Sequence, residues 1–384
     1  MRTNVLCGQK WTIWLWVITS SKKINSLYGT KKRIGEMSMG WIRGVRSKPF
    51  NKKVGVVFNR FLLLFFVLFS IILSEVLLRF FYPQPLMSFG KYTFKHSPDF
   101  GFIFEPKRKS IHSQPEYTYE IVSNSFGFRG KEPNFKALNR ILILGDSFAM
   151  GQGASEGKYA SALSESYFAQ NGLSVDIFNT AISGYAGINQ LPILKKFAPL
   201  YKPQLVVLFF SWNDVGVLES LTVLDGYLFL GEAKKLGYIR EWLNNNSHLF
   251  ALIKRFYYLN LKKSQGVKNA GEKSQWIYSE SDIDIAMSYI RQMKHISDKN
   301  GSLFVVFIVP LPFKGDKATV KGEDYFINSL KRDAIVYYDI SSMLPTEKNL
   351  RDNLYFTHDG HWTEYGNYYI SQHLNKLIEN NIYK

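Results

Sequence analysis

Residues 141–384 predict an α/β fold, a parallel sheet covered by helices on both faces, preceded by one transmembrane helix and a small β-rich leader. Three observations lead there. Short runs of continuous apolar residues recur from 141 onward and alternate with helix-length segments, the pattern of strands buried on both faces. Several of these runs end in polar residues that a parallel sheet collects on one rim. Upstream, an uninterrupted apolar stretch is long enough to cross a bilayer.

In chain order, residues 1–60 form a basic tail, expected to be disordered and cytoplasmic. It holds eight Lys and five Arg against the single acid Glu36, +12 of the total +17, so the other 324 of the 384 residues carry only +5. A charge excess confined to a tail, with no basic-aromatic repeat, argues against nucleic acid as a partner. The cluster "WTIWLWVI" in this tail is too short to span, and Met37 or Met39 is an alternative start to Met1. The one cysteine, Cys7, rules out a disulfide framework and a Cys-based metal site within the chain.

Arg60 precedes "FLLLFFVLFSIILSEVLL", residues 61–78, in which Ser70, Ser74 and Glu75 are the only non-apolar members. The span is set at 61–80, and the lipid bilayer is its expected partner. Glu75 lies near one end, within reach of headgroups, and Arg79 can snorkel. "SEVLLRFFYPQP" lacks a small-x-small cleavage pattern, which favours a retained anchor over a cleaved signal peptide. The basic flank places the N-terminus in the cytoplasm and everything after about residue 80 outside, periplasmic or extracellular.

Residues 84–140 are rich in aromatics, Pro and Gly, with alternating pieces such as "YTYEIVS", and read as the β-rich leader. The domain from 141 then supplies strands at "ILIL" (141–144), "SVDIF" (174–178), "QLVVLFF" (204–210), "SLFVVFIV" (302–309) and "AIVYYDI" (334–340). Helices are expected near 156–171, 188–200, 282–299 and 363–379. Residues 219–281 interrupt the alternation as an insertion containing "SHLFALIKRFYYLNLKK", readable as a packed excursion, a cap over the site, or a surface resting near lipid.

The strand ends carry the chemistry. The first delivers Gly145-Asp146-Ser147, the second "NTAISGYAG" with Asn179 and Gly184, and the third Ser211-Trp212-Asn213-Asp214. The last precedes "FTHDGHWTEYG" with His358, Asp359 and His361. A phosphate loop fails, because Met150 stands where the second Gly belongs and no Lys follows; a dinucleotide GxGxxG fails at Glu156. His358, Asp359 and His361 are awkward neighbours on one metal ion. Nucleophilic acyl transfer fits better. A serine hydroxyl needs a base, the base needs an orienting acid, and the tetrahedral intermediate needs hydrogen-bond donors. Ser147, a histidine, an aspartate, a turn glycine (Gly184) and a side-chain amide (Asn213) are those groups.

The order Gly-Asp-Ser, Gly, Asn-Asp, then Asp and His near the C-terminus resembles the SGNH (GDSL-type) hydrolase superfamily over about residues 140–380. The resemblance implies a flavodoxin-like three-layer α/β/α domain. It also implies Ser147 as nucleophile, His361 as base with Asp359 orienting it, and an oxyanion hole from the Ser147 backbone, Gly184 and Asn213. Asp146 and Asp214 are supporting residues, Asp214 holding its loop. "LLRFFYP" and "SNSFGFRG" resemble the leader of membrane-anchored members. Ser211 replaces the usual Gly of the third block. The last block is Asp359-Gly-His361, one residue shorter than usual, and in this form is similar to SGNH-like proteins that O-acetylate alginate and related exopolysaccharides. The short block leaves His358 as a rival base. Trp362 reads as packing or as a sugar-stacking ring. His96, His112, His248, His295 and His373 have no companions and read as structural.

The expectation is thus a membrane-anchored serine esterase acting on acyl esters of extracytoplasmic glycans or other envelope substrates. An O-acetyltransferase of a cell-surface polysaccharide and a non-catalytic SGNH-like assembly protein remain as alternatives. Envelope polysaccharide machinery is a further expected partner. No metal or organic cofactor is implied.

Overall fold

The structure is a computed structural model that describes residues 52–217, 219–229, 235–261, 276–310, 320–345 and 353–383. The expected tail to residue 51, "WTIWLWVI" and the alternative starts lie outside these residues. Residues 64–384 form one compact unit; the helix residues up to 63 belong to another.

Helix α1 (Lys52–Phe81) begins ahead of the apolar run, so the basic residues 52–60 stand in helix rather than in a disordered tail. Its apolar stretch, Val57–Phe81, is 25 residues long. At 1.5 Å per residue that is about 37 Å, enough for a hydrocarbon core of about 30 Å.

The leader contains five strands. β1 (Ser88–Phe89), β4 (Lys109–Gln114) and β5 (Tyr117–Val122) make an antiparallel sheet, while β2 (Phe94–Ser97) pairs with β3 (Gly101–Phe104). Alternation in β5 buries Tyr117, Tyr119 and Ile121 on one face. The leader shares its core with the main domain, since Phe128 packs edge-on against Phe178 and Phe197, ring centroids 5.6 and 5.9 Å apart.

The central sheet has five parallel strands: β6 (Asn139–Leu144), β7 (Val175–Asn179), β8 (Leu205–Phe210), β12 (Leu303–Ile308) and β14 (Val336–Asp339), while the short β11 (Trp276–Ile277) and β13 (Val320–Lys321) pair with each other outside it. Their spatial order is β14-β12-β8-β6-β7. Counted along the chain this is 2-1-3-4-5, the flavodoxin-like order. Right-handed crossovers then require two helical layers. α3 (Ala160–Gln170) packs on α9 (Glu364–Ile382), while α4 (Gly187–Tyr201) packs on α7 (Glu280–Lys299), which in turn meets α8 (Glu323–Arg332). All six residues of β8 are buried, which explains why these strands read as continuous apolar runs.

The insertion is built from the hairpin β9 (Thr222–Leu224) and β10 (Tyr227–Phe229), then α5 (Lys235–Asn246) and α6 (His248–Phe256), which runs on as a π-turn over Tyr257–Leu261.

Candidate active site

In a doubly wound sheet the chain leaves neighbouring strands in opposite directions at the point where the strand order reverses, opening a crevice at their carboxyl ends. Here that point lies between β6 and β8. Ser147 follows β6, and Asn213 follows β8. Directly after β6 the chain enters the one-turn helix α2 (Ser147–Met150), capped by Asp146, whose Oδ1 accepts from Phe148 N at 2.9 Å. Asp146 thus caps this turn, and that role coexists with the reactive geometry of the next residue.

Ser147 Oγ donates to His361 Nε2 at 2.7 Å. The same imidazole donates through Nδ1 to Asp359 Oδ1. The tautomer satisfying both bonds carries its proton on Nδ1, leaving Nε2 free to take the serine proton. Ser147, His361 and Asp359 are thus brought together across 214 residues of sequence. Burial pushes the Asp359 carboxyl up, but the hydrogen bond and charge of His361 and the Tyr117 hydroxyl outweigh it and hold the carboxyl below its usual range. Asp359 stays ionised, as an orienting acid must.

The short Asp-Gly-His block works because Gly360 adopts φ +86°, turning the chain back on itself within one residue. Phe356 N then donates to His361 O at 2.9 Å, Gly360 N donates to Phe356 O at 3.1 Å, and Tyr355 bridges Trp362, closing a tight loop. His358 is turned elsewhere. Its Nδ1 lies 3.1 Å from Glu116 Oε1, and its Nε2 is buried with no hydrogen-bond partner. His358 is therefore not brought to Ser147. Trp362 is buried between Phe148 and Phe209, at 4.9 and 6.5 Å, which makes it packing rather than a sugar platform.

Asn213 Nδ2 donates to Asp146 Oδ2 at 3.1 Å, so the amide is oriented beside the nucleophile by the residue that precedes it. Asp214 turns away into the protein and accepts from Gln190 Nε2 at 3.2 Å, a bond to α4. Burial pushes both carboxyls up, and for Asp214 the charge of Asp146 adds to the effect. Ser211, where a glycine was expected, has φ −114° and ψ 143°, ordinary extended backbone that takes any side chain. Gly184 has φ +86°, and a Cβ there would come within 2.4 Å of Leu221 Cδ1. Its conformation and its space both call for glycine.

Residues that the sequence did not single out complete the site. Tyr117 OH donates to Asp359 Oδ2 at 3.1 Å and accepts from Gln152 Nε2 at 2.8 Å. Ser183 Oγ donates to Gln152 Oε1 at 2.8 Å, tying the Gly184 loop to the triad. Glu116 accepts from the backbone N–H groups of His358 and Asp359 at 2.8 and 2.7 Å, holding the catalytic loop from the leader. Only the burial face of β5 hinted at Tyr117; Glu116 and Gln152 carried no local signal. Beside the Gly184 loop lies a cavity of about 250 Å³, lined by Ser183 and Leu221 together with Phe89, Phe94, Gln114, Tyr227, Phe229 and Glu241. Leader and insertion together build its walls.

In motif order, strand order and side-chain geometry the chain resembles the SGNH hydrolases. No protein-family model matches the chain, and no curated protein matches it. Among solved structures it is similar to a lipase/acylhydrolase from Enterococcus faecalis, at 13% identity and TM-score 0.40 over 63% of this chain and 96% of that one. It is also similar to a psychrotrophic esterase from Pseudoalteromonas sp., at 12% identity and TM-score 0.38 over 64% and 100% of the two chains. A third is an acetylxylan esterase from Geobacillus stearothermophilus in catalytic-mutant form, at 13% identity and TM-score 0.36 over 64% and 94%. Likeness at this level assigns no activity; the site itself has to carry that.

Proposed function

We propose that this chain is a membrane-anchored serine esterase of the SGNH type, acting through an acyl-serine on acyl esters of extracytoplasmic glycans. The observation that supports it is the continuous relay from Ser147 Oγ to His361 and on to Asp359, with 2.7 Å between Oγ and Nε2. His361 takes the Ser147 proton as Oγ attacks the ester carbonyl. The ionised Asp359 stabilises the resulting imidazolium. The developing oxyanion is received by the backbone N–H groups of Ser147 and Gly184 and by the second N–H of the Asn213 amide, whose first goes to Asp146. His361 then protonates the departing alcohol, leaving the acyl-serine. The two departures from the usual motifs, Ser211 and the short Asp359-Gly-His361 block, leave the relay intact.

The test is hydrolysis of p-nitrophenyl acetate by the purified full chain. Ser147→Ala is expected to lower the rate on the order of 10⁴–10⁶-fold. Equal rates in the two proteins would sink the proposal.

A second reading of the same site has a sugar hydroxyl rather than water take the acyl group, with the cavity beside the Gly184 loop as the subsite for the acceptor. Aromatic rings with a carboxylate and an amide suit a glycosyl unit, and about 250 Å³ lies just under the lower end of the usual range for ligand pockets, about 300 Å³. A transferase hydrolyses slowly and speeds up when a glycan acceptor is added; indifference to every acceptor leaves the esterase. The expected topology is N-terminus in the cytoplasm and the catalytic domain outside.

A further inference from the structure

Glu75 is an acid inside an apolar helix, and its partners are unusual. Its carboxylate accepts from Ser247 Oγ at 2.9 Å, from His248 N at 3.0 Å and from Leu249 N at 2.9 Å. A residue of the apolar helix thus caps the N-terminus of α6, where the helix dipole favours an anion. Arg79 donates to Glu75 Oε1 at 2.8 Å and also to the Asn246 carbonyl, and Gln84 N donates to His248 Nδ1 at 2.9 Å. The insertion is therefore fastened at several points to the last turns of α1.

That attachment sets the depth of α6. Glu75 lies six residues, about 9 Å along the axis, from the end of α1 at Phe81. A carboxylate paired to Arg79 and to backbone N–H groups belongs at the edge of the hydrocarbon rather than at its centre. From that point α6 and the π-turn that continues it present Ile253, Phe256 and Tyr257 to the outside, 58%, 63% and 52% exposed. The spacing i, i+3, i+4 makes them one stripe, all within about 14 Å of the capped end. α5 adds Ile239 and Trp242, also exposed at i, i+3. Arg240 stands next to Ile239 with its side chain 65% exposed, and Arg79 is 51% exposed at the junction. Apolar and aromatic residues with flanking cations, tied to a membrane-crossing helix near its exit, match an interfacial helix pair.

We infer that α5 and α6 lie in the headgroup layer of the same bilayer that α1 crosses, with Ile253, Phe256, Tyr257, Ile239 and Trp242 in contact with lipid. The inference rests on α1 being a membrane span, and it adds a second lipid contact to that span. It has a consequence for the site. Directly after α6, Tyr258 OH donates to the carbonyl of His358, the residue before Asp359, at 2.9 Å. The catalytic loop is thus linked to the lipid-resting helix and held at a fixed height over the membrane.

The test uses the full chain carrying Cys7→Ser in nanodiscs of phosphatidylethanolamine and phosphatidylglycerol. Single nitroxide labels are placed through Phe256→Cys and Trp242→Cys. Phe66→Cys on α1 serves as the lipid reference, and Leu200→Cys, exposed at the end of α4, as the aqueous one. Ile253→Cys and Ile239→Cys replace either insertion variant that fails to fold. Power saturation reads collisions with oxygen, which concentrates in lipid, and with a water-soluble nickel chelate. Oxygen collisions are expected to exceed chelate collisions at 256 and 242 as they do at 66, with the reverse at 200. Lipid-like behaviour at 66 with aqueous behaviour at 256 and 242 overturns the inference while leaving the span intact. Aqueous behaviour at all of them overturns both, and low collision with both reagents at 256, the signature of a covering protein, overturns the inference as well.

Discussion

Asp359 and His361 are separated by a single residue, so their hydrogen bond depends on side-chain geometry that no spacing rule conveys. Asp359→Asn keeps the shape but favours the wrong imidazole tautomer. A loss of about 10⁴-fold in kcat with p-nitrophenyl acetate is expected, with the melting temperature little changed. A second titratable residue acts on stability. His112 is buried beneath Phe89, ring centroids 3.7 Å apart, and lies 3.1 Å from the Tyr119 hydroxyl. Burial, against the opposing charge of Asp359, pushes its imidazole down from 6.5 to about 3. The unfolded chain takes up a proton below about pH 6.5 while the folded one stays neutral until about pH 3, so stability falls as pH drops through that window. The slope from this one group approaches about 1.4 kcal/mol per pH unit. His112→Phe is expected to flatten the acid side of a melting-temperature profile; an unchanged slope would contradict this. His112 read as an ordinary packing residue from the sequence, since solitary histidines give no sign of their burial.

At the scale of elements, the loop from 355 to 362 works because Gly360 is left-handed. Gly360→Ala is expected to cost about 1–2 kcal/mol in urea unfolding, since a side chain disfavours that backbone region. Esterase activity should fall with it, because His361 and Asp359 sit on either side of the turn. The loop after the nucleophile is braced differently. Buried Arg129 donates to the carbonyls of Gly151 and Ala154 at 2.8 Å each and lies over the Tyr159 ring at 4.3 Å. This gives the leader stretch "SNSFGFRG" a physical purpose, which is to hold the backbone that follows Ser147. The strands of the central sheet were readable within a residue or two, because burial on both faces forces continuous apolar runs. The helix over 187–201 was readable too, although it contains Pro192 and Pro199. The one-turn helix at 147–150 was not, since four residues carry no periodicity. Nor was the start of α1 at Lys52, because the residues before the apolar run look like any basic tail.

Over the whole molecule, the net charge of +17 concentrates before residue 61, and the apolar helix that follows is fastened to the folded domain through Glu75. The proposed orientation puts that domain outside the cytoplasm. Alkaline phosphatase fused at the C-terminus should be active, whereas a fluorescent reporter that matures only in the cytoplasm should stay dark; the opposite pattern would overturn the orientation. By itself the sequence determined the membrane-length helix, the parallel sheet, and the identity of Ser147, Gly184, Asn213, Asp359 and His361 as the residues worth placing. Each of those follows from composition or period over a local window, or from motif order along the chain. Only the tertiary structure decided between His361 and His358 as the partner of Ser147, turned Trp362 inward, accommodated Ser211, and brought Glu116, Tyr117 and Gln152 to the triad. It also joined Glu75 to the insertion. These outcomes depend on contacts between residues far apart in the chain, some separated by more than 200 positions, as Tyr117 and Asp359 are by 242. Local pattern holds no record of such pairings, because they are set by how the sheet, the leader and the insertion close on one another.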